Sequence, residues 1–290
     1  MNSQSEPFVY RLPASTAGSR PGAHRGRGRG AGMNFTAHAK LFDQPDPRRL
    51  DLRASISDIR GDWLVRTFQQ PTSITLHVLL DISASMRFGT PGKLAVATDF
   101  LTSLGISAHA YGDAISLLPF DQTFREDLYL PPRRGQAVGA HMASFILDAH
   151  AANVSTDPEQ VCAGLEAAVD RLEGSTGMVF LISDFHWPLE SMNTMLDKLS
   201  EATVVPVVLW DKAEVRPPET GQWLVARDLE SGKSRQLWIN GTTRQAWIDN
   251  VNERKRQLTR LFARHDSITF FLEDAFVAEK MSLYFMEQVS

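Results

Sequence analysis

Apolar residues along this chain fall into short, nearly unbroken runs, and the text between the runs repeats its apolar positions at helical spacing. The first clear run, Ile74 to Leu80 (ITLHVLL), is rich in β-branched residues and predicts a strand covered on both faces, as in a parallel sheet. Helical text follows from Lys93 to about Ala110, then a strand from Ala114 to Phe120 and an antiparallel edge strand from Phe124 to Leu130. Helices are expected at 136–150 and 158–173. Thr156 or Asp157 announces the second as its cap, with Pro158 in the first turn and Glu159 near the positive end of the dipole. Met178 to Ile182 and Val204 to Leu209 read as further buried strands, with a helix from Leu189 to Leu199 between them. Alternation of this kind predicts right-handed crossovers and an α/β fold with a doubly wound, mostly parallel sheet.

After Trp210 the rhythm changes. Trp223 to Asp228 and Arg235 to Ile239 flank Glu230-Ser231-Gly232-Lys233 and predict a hairpin excursion over about 222–240, too short to bury a core of its own. A strongly charged helix over 242–264, a strand from Ile268 to Leu272 and a last helix from Ala275 follow. Residues 1–32 are rich in Gly, Arg, Ser, Pro and Ala and show no helical or strand period, so a flexible arm is expected, ending in His24-Arg25-Gly26-Arg27-Gly28-Arg29-Gly30. Residues 33–72 are expected to wrap a neighbouring domain, and 73–290 to form the main domain.

A composition of 43% hydrophobic and 22% charged residues suits a packed core. The single cysteine, Cys162, excludes an internal disulfide, and with no secretory apolar core at the start a cytoplasmic protein is expected. No apolar run approaches the roughly 20 residues of a membrane span. The net charge of −4 is uneven, +5 over residues 1–70 and −9 over the remainder, which suits an internal clasp or an acidic partner.

Candidate chemistry lies where strands end. Leu80-Asp81-Ile82-Ser83-Ala84-Ser85 places one carboxylate and two hydroxyls at the carboxyl end of the first strand, where open α/β sheets bind ligands. Alternate residues face the same way, so as the chain bends all three can converge, and hard oxygens suit Mg²⁺ or Mn²⁺. The competing structural reading makes the serines caps of a turn. Met178 to Ile182 ends in Ser183-Asp184-Phe185, and in a sheet of order 3-2-1-4-5 Asp81 and Asp184 would flank one crevice. His77 reads as a core histidine and Cys162 as packing; His186 lies near the crevice, and Asp121, ending the second strand, is the chief decoy.

Asp81, Ser83, Ser85 and Asp184 resemble the metal-ion-dependent adhesion site of von Willebrand factor A domains. The upstream text is similar to one bacterial branch, encoded beside MoxR-type AAA+ ATPases: Gly22-Ala23-His24-Arg25, Gly32-Met33-Asn34-Phe35, then Asp46-Pro47-Arg48-Arg49-Leu50-Asp51 and Leu64-Val65-Arg66-Thr67-Phe68. Leu181 to Phe185 and Leu229-Glu230-Ser231-Gly232 extend the resemblance. The branch's paired acids and Trp are replaced by Gln44-Pro45-Asp46 and Leu52. The resemblance implies a divalent cation, Mg²⁺ with Mn²⁺ or Ca²⁺ as alternatives, on Asp81, Ser83 and Ser85. Asp184 would reach it through water, and Thr156 is the metal-loop threonine, with Ser155 and Asp157 as neighbouring candidates.

It further implies a non-catalytic adaptor whose open coordination position takes an acidic side chain from a MoxR-type ATPase or its client. Arg25, Arg27, Arg29, Arg48 and Arg49 are candidate partner contacts. Short members of the branch include the MxaS type of methanol-oxidation clusters, which points to maturation of methanol dehydrogenase. Two other classes compete. An aspartate-based phosphotransferase would need an acid where Ser83 stands, and neither a G-x-S-x-G elbow nor a P-loop is present. Nucleic-acid binding through Arg25, Arg27 and Arg29 lacks interleaved aromatics and sits on an acidic body.

Overall fold

A computed structural model of the protein describes residues 6–11, 21–30, 34–43, 45–149, 158–227, 234–273 and 275–288. The chain forms two compact units, Leu12–Ile74 and Met1–Arg11 with Thr75–Ser290. In the smaller unit, β1 (Pro21–Gly30), β2 (Asn34–Lys40) and β3 (Leu64–Thr72) make an antiparallel sheet of order β1-β3-β2, with the short helix α1 (Leu52–Ile56) before β3. Residues 21–30 are therefore a strand and not the expected arm. Their Arg-Gly text carries no apolar alternation to announce a strand, and the pairing with β3 is made by backbone. Asp51 caps α1 by accepting from Ala54 N and also accepts from Arg66 Nε at 2.7 Å. Those bonds hold its carboxyl below the usual range, the Arg66 guanidinium contributing most.

The larger unit contains β4 (Thr75–Asp81), α2 (Lys93–Tyr111), β5 (Ala114–Phe120), β6 (Leu130–Arg133), α3 (Val138–Ala149), α4 (Pro158–Asp170) and β7 (Gly177–Ser183). It continues with α5 (Met192–Lys198), β8 (Ala202–Trp210), α6 (Lys212–Val215), β9 (Gln222–Arg227), β10 (Ser234–Ile239), α7 (Gly241–Ala263), β11 (Phe270–Glu273) and α8 (Ala278–Glu287). Six strands form one sheet of order β11-β8-β7-β4-β5-β6, with only the β5–β6 pair antiparallel. The α/β class, the order 3-2-1-4-5 from the antiparallel edge inward and the hairpin β9–β10 are those predicted. The edge strand is displaced to Leu130–Arg133, because Glu126–Leu128 winds into a 3-10 turn. The last helix starts at Ala278.

Both faces of the sheet are covered. Leu79, Leu118, Leu181 and Val208 pack with Val161, Leu165, Leu258 and Phe262 on one side, and Phe180 meets Phe100 of α2 at 5.2 Å on the other. Each such buried side chain contributes about 1.5–3 kcal/mol. α2 and α3 touch through glycine: a Cβ on Gly105 would stand 2.6 Å from the Cα of Gly139. The first described residues belong to this core. Phe8 and Tyr10 are buried, Phe8 N donates to Ser107 Oγ at 2.8 Å, and the Tyr10 hydroxyl donates to Asp113 at 2.5 Å.

Candidate metal centre and the adjoining cavity

β4 and β7 are neighbours, so their carboxyl ends bring Asp81 and Asp184 to one crevice, both fully buried. Asp81 Oδ1 accepts from Ser83 N at 2.8 Å, a bond that folds the loop back over the strand end, and Oδ2 accepts from Ser183 Oγ at 2.6 Å. The hydroxyls of Ser83 and Ser85 lie 3.1 Å apart, and Ser85 also hydrogen-bonds to Asp184. Four of the predicted ligands, Asp81, Ser83, Ser85 and Asp184, thus converge. The serines fold the loop and face the carboxylates together, so the two readings of them are not exclusive. Thr156, with Ser155 and Asp157, falls outside the described residues.

The electrostatics differ between the two acids. Burial, reinforced by the charge of Asp184, pushes the Asp81 carboxyl up to about 6, and no cationic side chain touches it among the described residues. Burial also acts to raise Asp184, but the positive charges of His186 and Lys93 override it and leave this carboxyl lowered. Lys93 Nζ, at 3% exposure, donates to Asp184 Oδ2 at 2.6 Å and to Glu214 Oε1 at 2.8 Å. A lysine at the first position of α2 works against the helix dipole, and that placement was the sequence signal for its role. Sequence reading missed Lys93, Ser183 and Glu214 as members of the site.

Glu214 belongs to the capping box of α6, its second oxygen accepting from Asp211 N at 2.8 Å. Gly89, at φ +101°, lets the loop after Asp81 pass close to this element, since a Cβ there would sit 2.3 Å from Asp211 Oδ2. Asp184, His186 and Glu214 bring three ligand atoms within 4.8 Å of one another, a group that could hold a metal ion. The Lys93 ammonium already bridges two of the three. On the hydroxyl side no cationic side chain touches Asp81 among the described residues. Asp81, Ser83 and Ser85, with Asp184 beside them, present hard oxygens of the kind that could hold Mg²⁺ or Mn²⁺.

The loop after Asp184 is strained and stapled. Phe185 has φ +52°, unusual for an aromatic residue, and its ring is buried against Phe262. Arg254 of α7 donates to Phe185 O from Nε at 3.1 Å and Nη2 at 2.5 Å, and Nη2 also donates to Trp187 O. Next to this loop a cavity of about 400 Å³ opens between His186, Trp210, Val215 and the α7 residues Trp247, Val251 and Arg254.

The remaining predicted residues lie elsewhere. Arg48 and Arg49 form a 3-10 turn in the smaller unit, where Arg49 pairs with Asp46 at 3.2 Å; Arg25, Arg27 and Arg29 are on β1. Asp121 is paired with Arg125 at 2.9 Å. His77 is a satisfied core histidine, its Nδ1 2.7 Å from Ser116 Oγ, and burial lowers its ring to about 4. Cys162 packs with its Sγ 3.4 Å from Pro188 O. Among the described residues no helix is long and apolar enough to cross a membrane.

Solved structures with some similarity include the conserved hypothetical protein BatB of Bacteroides thetaiotaomicron, at 14% identity and TM-score 0.42, over 74% of this chain and 98% of that one. An aerotolerance-related membrane protein of Bacteroides fragilis gives 14% and 0.42, over 75% and 98%. A von Willebrand factor type A protein of Catenulispora acidiphila gives 12% and 0.38, over 77% and 43%. No curated protein matches. The family model described as "Protein of unknown function DUF58" matches residues 46–257, most of the chain, and the protein belongs to that family.

Proposed function

We propose that this protein is a non-catalytic binding module that seats a divalent cation, Mg²⁺ in the first instance, on Asp81, Ser83 and Ser85 and uses it to grip an acidic side chain of a partner protein. The observation that carries the reading is the isolation of Asp81: fully buried, bonded among the described residues only to hydroxyls and an amide, and facing a second carboxylate. Neutral hydroxyls neutralise little of a dication's charge, so a vacant coordination position attracts an outside carboxylate. The sequence resemblance supplies the finer form, in which the partner is a MoxR-type AAA+ ATPase or its client in the cytoplasm. A methanol dehydrogenase under assembly is the most specific version of that client.

Calorimetric titration with MgCl₂ and MnCl₂ tests the cation, with Ser83→Ala and Ser85→Ala losing the binding. Co-purification with the ATPase, with and without EDTA, tests the grip. Retention of the ATPase in EDTA would defeat the proposal.

A further inference from the structure

Lys93 is a sealed cation set against the candidate centre, and the loop it closes explains how it comes to be there. The chain leaves β4 at Asp81, carries Ser83 and Ser85 past the strand end and returns at Lys93, the first residue of α2, whose amide donates to Phe88 O at 3.0 Å. The ammonium lies 5.9 Å from the Phe88 ring centroid, and the side chain is almost wholly buried. A buried ammonium is costly unless it is paired, so its partners are fixed ones. They are Asp184 Oδ2 at 2.6 Å and Glu214 Oε1 at 2.8 Å.

Charge around the crevice is then divided unevenly. Glu214 has a second neighbour able to carry positive charge, His186, whose Nε2 is 3.4 Å away, and its other oxygen accepts from Asp211 N. Asp184 accepts from His186 N at Oδ1, at 3.2 Å, and lies against the Lys93 ammonium at Oδ2; the partly exposed His186 ring adds to that charge from the outer side. Asp81 is touched by no cationic side chain among the described residues. Of two buried carboxylates that face each other, one is matched by Lys93 and the other has no such match.

We infer that Lys93 sets what the centre can grip: by matching Asp184 it leaves a dication on Asp81, Ser83 and Ser85 with net positive charge, and that residual charge draws the partner's acid. Without Lys93, Asp81 and Asp184 together would equal a dication's two charges. The ion would then be held harder, with less attraction left over for an outside carboxylate. Lys93 is thus a positioning residue that acts through Asp184. The inference rests on the metal-dependent grip proposed above and assigns its strength to a side chain outside the ligand set.

The test uses the full chain, Mn²⁺ as the ion with protein in excess, and [1-¹³C]acetate as the outside carboxylate. Calorimetry gives the Mn²⁺ affinity, and ¹³C relaxation per bound Mn²⁺ reports whether acetate reaches the ion. Lys93→Met should bind Mn²⁺ about tenfold tighter yet hold acetate about tenfold more weakly, the scale of one unit charge at close range in a partly solvated site. Adding Asp184→Asn to Lys93→Met removes both charges and should return both values towards those of wild type. If Lys93→Met does not fold, Lys93→Gln, which loses the charge and keeps a donor, replaces it in both proteins. Acetate held as well by Lys93→Met as by wild type overturns the inference and leaves the grip standing. Loss of Mn²⁺ and acetate together, unrelieved by Asp184→Asn, overturns it too, since a merely structural lysine behaves that way. Wild type that binds no Mn²⁺, or binds it and leaves acetate unrelaxed, overturns the grip itself and the inference with it.

Discussion

Two carboxylates end adjacent parallel strands of the same sheet, and they meet opposite fates. Asp121, just past β5, is held by the Arg125 guanidinium at 2.9 Å and by Thr123 N. Asp81, at the end of β4, is sealed from water, accepts hydrogen bonds from Ser83 and Ser183 and faces Asp184, with no cation in contact among the described residues. Position at a strand end is common to both, so it does not make a site. What distinguishes them is whether the chain supplies the counter-charge. Asp121 is matched within the fold, whereas Asp81 has no cationic partner among the described residues, and under the proposed function a bound cation would supply one.

The comparison can be broken in four ways, from the largest effect down. Asp81→Ala should abolish the rise in melting temperature that MgCl₂ gives the wild type, while Asp121→Asn keeps it, because only ligands that bind the native state stabilise it. A rise retained in Asp81→Ala would remove the contrast. Lys93→Met should cost the metal-free protein about 3–5 kcal/mol, since it leaves Asp184 buried without its cation. Added magnesium should then recover more stability than it gives the wild type. Equal magnesium increments in urea unfolding would mean that Lys93 and the cation do not share Asp184.

The third concerns pH at a residue remote in role, His77. Its folded ring titrates near 4, below the unfolded value of 6.5, so the unfolded chain takes up the proton first. Stability from this group is complete above pH 6.5 and is lost as the pH falls towards 4, by about 3 kcal/mol. His77→Gln should flatten the wild-type slope in that window, as read by denaturant midpoints; an unchanged slope would place the acid sensitivity elsewhere. Asp81 acts with the opposite sign in the metal-free protein, its raised carboxyl favouring the folded state at low pH. The smallest effect is expected for Arg125→Ala, about 1 kcal/mol or less for a partly exposed pair, with magnesium binding untouched.

Much of the sheet was legible because parallel strands buried on both faces write themselves as apolar runs, and Asp81, Ser83, Ser85 and Asp184 stand directly at the ends of those runs. Lys93 and Glu214 were not legible as partners, since their meeting depends on α2 and α6 converging from 121 residues apart. Only the oddity of a lysine opening a helix hinted at it. β1 escaped for another reason: glycine-rich text pairs through its backbone and leaves no side-chain period to read. Thr156, the expected metal-loop threonine, lies outside the described residues.

The smaller unit enters the chain after Arg11 and leaves it before Thr75, so it is threaded between two parts of the larger one. A protease that nicks one connection cannot free it; two cuts are needed. If the connection before Thr75 is severed, the smaller unit keeps its covalent link to the Glu6–Arg11 stretch, which Phe8 and Tyr10 hold in the core of the larger unit. A nicked molecule would run whole on a native gel and come apart only in detergent.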